Sequence, residues 1–358
     1  MSLFQNKEWW GLKVGENEEF DCNHLCVASL NPANPQENHI ILGSYQGKLR
    51  IYSPKFREYK IEDLLFEKDF QMPIIQVSVG KFGPMSGENA LCVLFFKKFS
   101  VFSINFSNNG ISCKLLYENN LQRNAYNMEI GPFGGGKNRD FICVQSCDGF
   151  LMIYEQDKFA SLSQLNEYIL PSPLFYVEVT DSFILQNSSM ELESYRYSSI
   201  GANFNSQKEN KLLYPDWTIN LGEAARKITG FWRTEKNFEI FVLTETMLFV
   251  VSHTGALLTH KKLEYPPCNI FMYENPMKSA KSNLIYEQGQ NSENVVMNPA
   301  TFVISSFTHH ILVYKDFQLN WASKMNNIAH GIEISMFDGQ KGLLTTVNEE
   351  GWLEVFVP

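Results

Sequence analysis

The residues best arranged for chemistry lie between Gly131 and Asn138, in the string GPFGGGKN. They fit G-x-x-x-x-G-K, a loop whose backbone N–H groups can cradle phosphate. That chemistry also needs a Ser or Thr after the lysine to hold magnesium, and here Asn138 follows Lys137. It further needs a helix whose N-terminus faces the anion. The next residues, Phe141–Val144, read instead as a strand. The expectation is therefore no nucleotide binding, with the glycines serving a tight connection between strands.

No other set of reactive residues has a telling spacing. The histidines (His24, His39, His253, His260, His309, His310, His330) form no HExxH or other ligand pattern. His309 and His310 fall at an expected hairpin turn, exposed, and neighbouring strand residues point to opposite sides, so the pair is not expected to ligate one metal. Cys22/Cys26 and Cys143/Cys147 are not CxxC pairs, and no histidine follows at zinc-finger spacing. The seven cysteines read as reduced, mostly buried thiols. No G-x-S-x-G elbow occurs and the carboxylates are scattered, so no catalytic, metal or cofactor residue is expected. A hydrolase-like site at a central channel remains the alternative, because such sites assemble from distant parts of the chain.

The chain has 358 residues, 44% of them hydrophobic, with 28 Phe, 15 Tyr and 6 Trp. Aromatic abundance with few Ala- and Glu-rich runs favours strands. The formal charge of −9 argues against nucleic acid, since Lys97-Lys98 and Lys261-Lys262 are too short to supply a positive field. The same balance weakens direct lipid binding. The most apolar run, Leu91–Phe106, is interrupted by two lysines, so membrane insertion is not expected. MSLFQNKEWW has neither the basic nor the apolar region of a secretory signal, so a cytoplasmic setting is expected.

These residues must be placed by strands. FICVQSCDGFLMIYEQ (141–156) reads as two strands about a two-residue Asp148-Gly149 turn, each apolar on both faces. The same unit recurs seven times, with turns near Gly47, Lys98, Gly149, Met190, Met247, His310 and Gly351. A period near fifty residues with a central hairpin marks a propeller. The fold class expected is all-β: a seven-bladed β-propeller with four antiparallel strands per blade, as a single domain over 1–358. The blades fall near 24–70, 74–121, 125–170, 174–222, 226–265, 269–326 and 331–358 plus 3–11. Within the third, FASLSQLNEYIL could be a short helix.

The seventh unit supplies only three strands, while Leu3–Gly11 is left over at the other end. The ring is expected to close by that N-terminal segment pairing with Trp352–Val357, removing an exposed edge. Strand alternation would send Trp9 and Trp10 to opposite faces. The polar stretches 199–211 and 275–298 read as solvated insertions. Within the second, Leu284, Ile285 and Tyr286 are candidate partner-binding residues, apolar in a hydrophilic stretch.

Several segments carry a family resemblance. MSLFxxxxWW, GSYQGKLRIYSP (43–54), YENNLQR (117–123), FGGGKNRDFICVQSCDGFLMIYEQ (133–156) and DWTINLGE (216–223) resemble, in order and spacing, the amino-terminal region of the Bardet–Biedl syndrome 9 family. The resemblance covers essentially the whole chain and is strongest up to residue 156. It implies a propeller heading a longer protein and a non-enzymatic subunit of the BBSome coat. That role implies other BBSome subunits as partners, ciliary membrane-protein cargo indirectly, and a location near the basal body and cilium. The family has no catalytic residues to carry over.

Overall fold

The hairpin at 141–156 forms, with one difference in its turn. Strands Phe141–Ser146 and Phe150–Glu155 pair antiparallel, Ile142 with Tyr154 and Gln145 with Leu151. The loop holds three residues, Cys147 to Gly149, and only Gly149 adopts positive φ (79°). A three-residue loop of this kind puts its left-handed residue last, where glycine costs least. A Cβ on Gly149 would also meet the Tyr168 carbonyl at 2.9 Å.

The computed structural model describes residues 7–83, 87–107, 110–166, 168, 170–201, 213–234, 236–273 and 298–357. Strand β1 (Lys7–Lys13) comes first but belongs to the last sheet. Blade 1 is β2 (Leu25–Ala28), β3 (His39–Gly43), β4 (Lys48–Tyr52) and β5 (Leu64–Asp69). Blade 2 is β6 (Ile74–Gly80), β7 (Ala90–Phe95), β8 (Lys98–Ser107) and β9 (Gly110–Asn120). Blade 3 is β10 (Ala125–Gly131), β11 (Phe141–Ser146), β12 (Phe150–Glu155) and β13 (Lys158–Gln164). Blade 4 is β14 (Phe175–Val177), β15 (Ser182–Gln186), β16 (Glu191–Arg196) and β17 (Trp217–Asn220). Blade 5 is β18 (Ala225–Trp232), β19 (Phe238–Thr244), β20 (Met247–Ser252) and β21 (Leu257–Lys262). Blade 6 is β22 (Pro267–Tyr273), β23 (Thr301–Ser306), β24 (His310–Lys315) and β25 (Gln318–Lys324). Blade 7 is β26 (Gly331–Phe337), β27 (Gln340–Val347) and β28 (Trp352–Val357), completed by β1. Every described pairing is antiparallel, and the described residues hold one α-helix, Tyr197–Gly201. The region read as a short helix, FASLSQ, is β13; it buries Ser161 and Ser163 by alternation and Ala160 as the extra residue of a bulge.

The apolar strands follow from how the blades stack. Seven hydrophobic clusters separate seven neighbouring pairs of blades. In β11, Ile142 and Val144 face blade 2 while Cys143 faces blade 4. Middle strands are therefore buried on both faces and lose the alternation of a half-wet sheet.

Closure takes the expected form, with a correction at the tryptophans. β1 pairs with β28 from Lys7↔Val357 to Lys13↔Trp352. Residues 3–6 of the expected latch lie outside the described residues. The register shifts between Glu8 and Trp10, leaving Trp9 as the extra residue of a bulge. A bulge breaks alternation, and both indoles enter the cluster between blades 7 and 1. Trp9 stacks on Phe337 and Trp10 meets Tyr52 and Tyr59 edge-on.

Candidate functional site

The first strand of each blade lines the central channel. Residues at the starts of these strands in blades 1 to 5 gather at one mouth. Asp21 caps the 3-10 turn Cys22–His24 leading into β2, its Oδ1 accepting the Cys22 amide at 2.6 Å. The Asp21 amide donates to His24 Nδ1 at 2.7 Å, so the ring proton sits on Nε2 and is donated to the Ile74 carbonyl at 2.8 Å. Burial lowers the His24 pKa, against the pull of the Ile74 carbonyl and Asp21. The imidazole is therefore a fixed neutral strut between blades 1 and 2, with Tyr45 edge-on at 4.4 Å.

Behind this rim lies a cavity of about 110 Å³ whose walls include Asp21, Gln76, Tyr126, Glu129, Arg226 and Lys227. Deeper in the channel Glu333 is raised to about 8 by burial, with Lys227 pulling the other way. Burial also raises Cys26 and Cys22 to about 12. The mouth is polar and of mixed charge. Among the described residues, no group of three or more His, Cys, Asp and Glu side chains is placed to hold a metal ion.

One arrangement escaped sequence reading. Cys268 Sγ lies 3.6 Å from His330 Nδ1, and His330 Nε2 lies 3.7 Å from Glu349 Oε2. A thiol, an imidazole and a carboxylate in line are the parts of a cysteine nucleophile. The electrostatics oppose that use. Burial raises the thiol to about 11, outweighing a Ser305 hydrogen bond and the Arg226 charge. The nucleophile is the thiolate, which is scarce at neutral pH in such a site. Glu349 is 68% exposed, so its pull on the imidazole is screened. Cys268 and His330 are 62 residues apart, and no local motif joins them. The available signal was the repeat, since each sits where its unit's inner strand begins.

The glycine-rich loop lies at the other end of the blades. Phe133 is fully buried between Tyr176 and Phe183, and Gly134 and Gly135 take φ of 68° and 74°. The Gly134 amide donates to Asp181 Oδ1 at 2.9 Å, and those of Gly135 and Gly136 donate to the Pro132 carbonyl. These amides are satisfied within the protein, Lys137 is exposed, and a strand follows. His309 and His310 are half-buried rather than exposed, each held by its own hydrogen bond, to the Asn326 carbonyl and to Thr308 Oγ1. Leu284, Ile285 and Tyr286 lie outside the described residues, as do 202–211 of the other insertion.

Residues 1–357 match the family described as PTHB1 N-terminal. The chain belongs to that family. It is similar to Protein PTHB1 of Xenopus laevis, 36% identical over 99% of this chain and 42% of the relative. The Mus musculus and Homo sapiens proteins of that name are each 34% identical over 99% of this chain and 40% of theirs. The chain thus spans well under half the length of these relatives. Among solved structures it is similar to BBS1N, crystallised in complex with ARL6DN, at a TM-score of 0.67 and 11% identity. That match covers 97% of this chain and 96% of the other. The β-propeller domain of Myceliophteria thermophila Cps50 (Swd1) aligns at a TM-score of 0.63 and 10% identity, over 98% and 99%. At such identities the likeness concerns the fold alone.

Proposed function

We propose that this chain is the amino-terminal propeller of the Bardet–Biedl syndrome 9 protein, for which PTHB1 is another name. In this reading it is a non-enzymatic scaffold within the BBSome, a coat that carries membrane proteins to and from cilia. The observation that carries the reading is family membership along the whole chain. The channel mouth supports it, because burial raises the thiol of its Cys268–His330 pair to about 11 and keeps the thiolate scarce. BBS1N, a propeller of the same fold, is described in complex with the protein ARL6DN. By analogy this propeller presents its surfaces to other BBSome subunits and meets membrane cargo through them. Nucleic acid is not a partner, given the charge of −9. No described helix is long and apolar enough to cross a membrane. The working location is the cytoplasm, the basal body region and the cilium.

The test is affinity capture of the tagged full-length protein from ciliated cells with quantitative mass spectrometry. Co-purification of the BBSome subunits is expected; recovery without any of them overturns the assignment. The Cys268–His330 contact favours a second reading, a thiol enzyme at the channel mouth. Hydrolysis of a panel of thioester and ester substrates by the pure protein, abolished by Cys268→Ala, would establish it.

A further inference from the structure

We infer that the free edge of β21 is a docking site for an acidic, apolar, extended segment of a partner protein, taken up as a fifth strand of blade 5. The inference rests on the scaffold reading above and names the kind of partner one edge accepts.

Among the described residues, the outermost strand of each blade has one unpaired edge. Six of the seven are tied down by side chains in the clusters between blades. Trp9 of β1, Phe66 of β5, Tyr117 of β9, Leu162 of β13, Ile219 of β17 and Trp321 of β25 belong to those clusters or pack on them. β21 alone gives these clusters no apolar side chain; only its His260 and Lys261 reach them, over Phe249 and Tyr314. The strand is held by its ladder to β20, by the His260 ring 6.1 Å from that of Phe249, and by Lys261 Nζ, 5.7 Å from the centre of the Tyr314 ring. Yet it carries Leu257 and Leu258, 46% and 47% exposed, the second as the extra residue of a bulge that precedes the regular edge Thr259–Lys262.

Lysines on an edge strand ordinarily guard against unwanted pairing. Two exposed leucines beside them undo that guard for any partner whose charge fits. The string LLTHKK has no acidic residue in a chain of net charge −9. Two copies laid edge to edge would bring Lys261, Lys262 and His260 against their like, which disfavours a second copy. An acidic strand turns the same charges into attraction. A strand edge offers alternating N–H and C=O groups at the spacing of another backbone, and strand addition uses that pattern with side chains setting specificity. A bilayer surface lacks such donors, and an anionic one is repelled by the chain's overall charge.

The test uses the full-length protein and dye-labelled eight-residue peptides, one alternating glutamate with valine, the other lysine with valine. The acidic peptide is expected to slow hydrogen exchange at residues 257–262 at least tenfold, and no other outer strand. The basic peptide and phosphatidylserine vesicles are expected to leave those amides unchanged. Lys261→Glu with Lys262→Glu should reverse the peptide preference, with unchanged hydrogen exchange in β20 showing that blade 5 stays folded although Lys261 no longer sits over Tyr314. The inference is overturned if the acidic peptide gives no slowing, if either control slows those amides equally, or if charge reversal leaves the preference unchanged. It is also overturned if the amides are already protected in the dilute free protein, meaning the chain covers its own edge. Protection that grows with protein concentration would assign the edge to a second copy instead. Loss of the peptide effect while wild-type protein still captures BBSome subunits would sink the edge alone; loss of that capture would sink the scaffold reading.

Discussion

The indole N–H of Trp10 donates to the Asp63 carboxylate at 3.1 Å, joining the strand that closes the ring to the connection between β4 and β5 in blade 1. Both residues are almost fully buried, Trp10 at 1% exposure and Asp63 at 2%. Asp63 also accepts from the Lys60 amide and from both terminal nitrogens of Arg57. Eight residues beyond Trp10, the connection from β1 to β2 is fastened again. Glu18 accepts two hydrogen bonds from Arg50 at 2.8 Å each, and Arg50 also reaches Glu67. Closure is thus a ladder, a shared apolar cluster and two buried charged contacts, all between blades 7 and 1.

Trp10→Phe should keep most of the ring packing and lose only the bond to Asp63. A loss of about 1–3 kcal/mol is expected, lowering the melting temperature by about 2–6 °C. Trp10→Ala adds a cavity and should cost about 3–5 kcal/mol. Calorimetric melting of the two variants checks both figures. Equal effects would place the contribution in the backbone ladder rather than the indole.

Acid should open this junction first. Burial raises the Glu18 carboxyl, but hydrogen bonds and charge from Arg50 outweigh it and leave the pKa below its ordinary value. Asp63 is lowered in the same way by Lys60, Trp10 and Arg57 against burial. A folded pKa below the unfolded one gives stability that is present above the unfolded value, about 4 for these groups, and lost as pH falls through the folded value. Melting temperature should therefore drop below about pH 4, and Glu18→Gln should flatten part of that drop. Hydrogen exchange in acid should rise first in residues 7–20.

Glu333 gives the opposite slope. Its folded pKa, about 8, lies above the unfolded value, so its contribution is full in acid and lost as pH rises toward 8. The side chain is half-buried, so channel water softens the effect. Glu333→Gln should raise the melting temperature at pH 8 by about 2–4 °C and leave it unchanged near pH 4. A rise of the same size at both values would mean the gain is not electrostatic.

Thiol labelling should rank the cysteines by access. Cys147, the exposed one among the seven, should react with iodoacetamide first, although burial and Asp148 raise its pKa. Cys92 and Cys143 should stay unlabelled in the native protein, being fully buried with pKa values raised by burial. Peptide mapping after timed labelling reads the order. Fast labelling of Cys268 at pH 7 would revive the nucleophile reading.

What the sequence determined by itself was the repeat. Seven apolar hairpins at a period near fifty residues require stacked sheets, since strands apolar on both faces must be covered on both. Three strands in the last unit and a spare apolar segment at the start require closure, because an open edge is costly. These are local or periodic signals, and they survive in one dimension. The tertiary structure alone decided the rest. The bulge at Trp9 depends on the register against β28, which no property of EWW encodes. The mouth set, Asp21 with Arg226, Lys227, Cys268 and His330, comes from separate blades, so only ring closure brings it together. The approach of Cys268 to His330 is likewise a tertiary contact, and burial, a property of the folded state, raises that thiol to about 11.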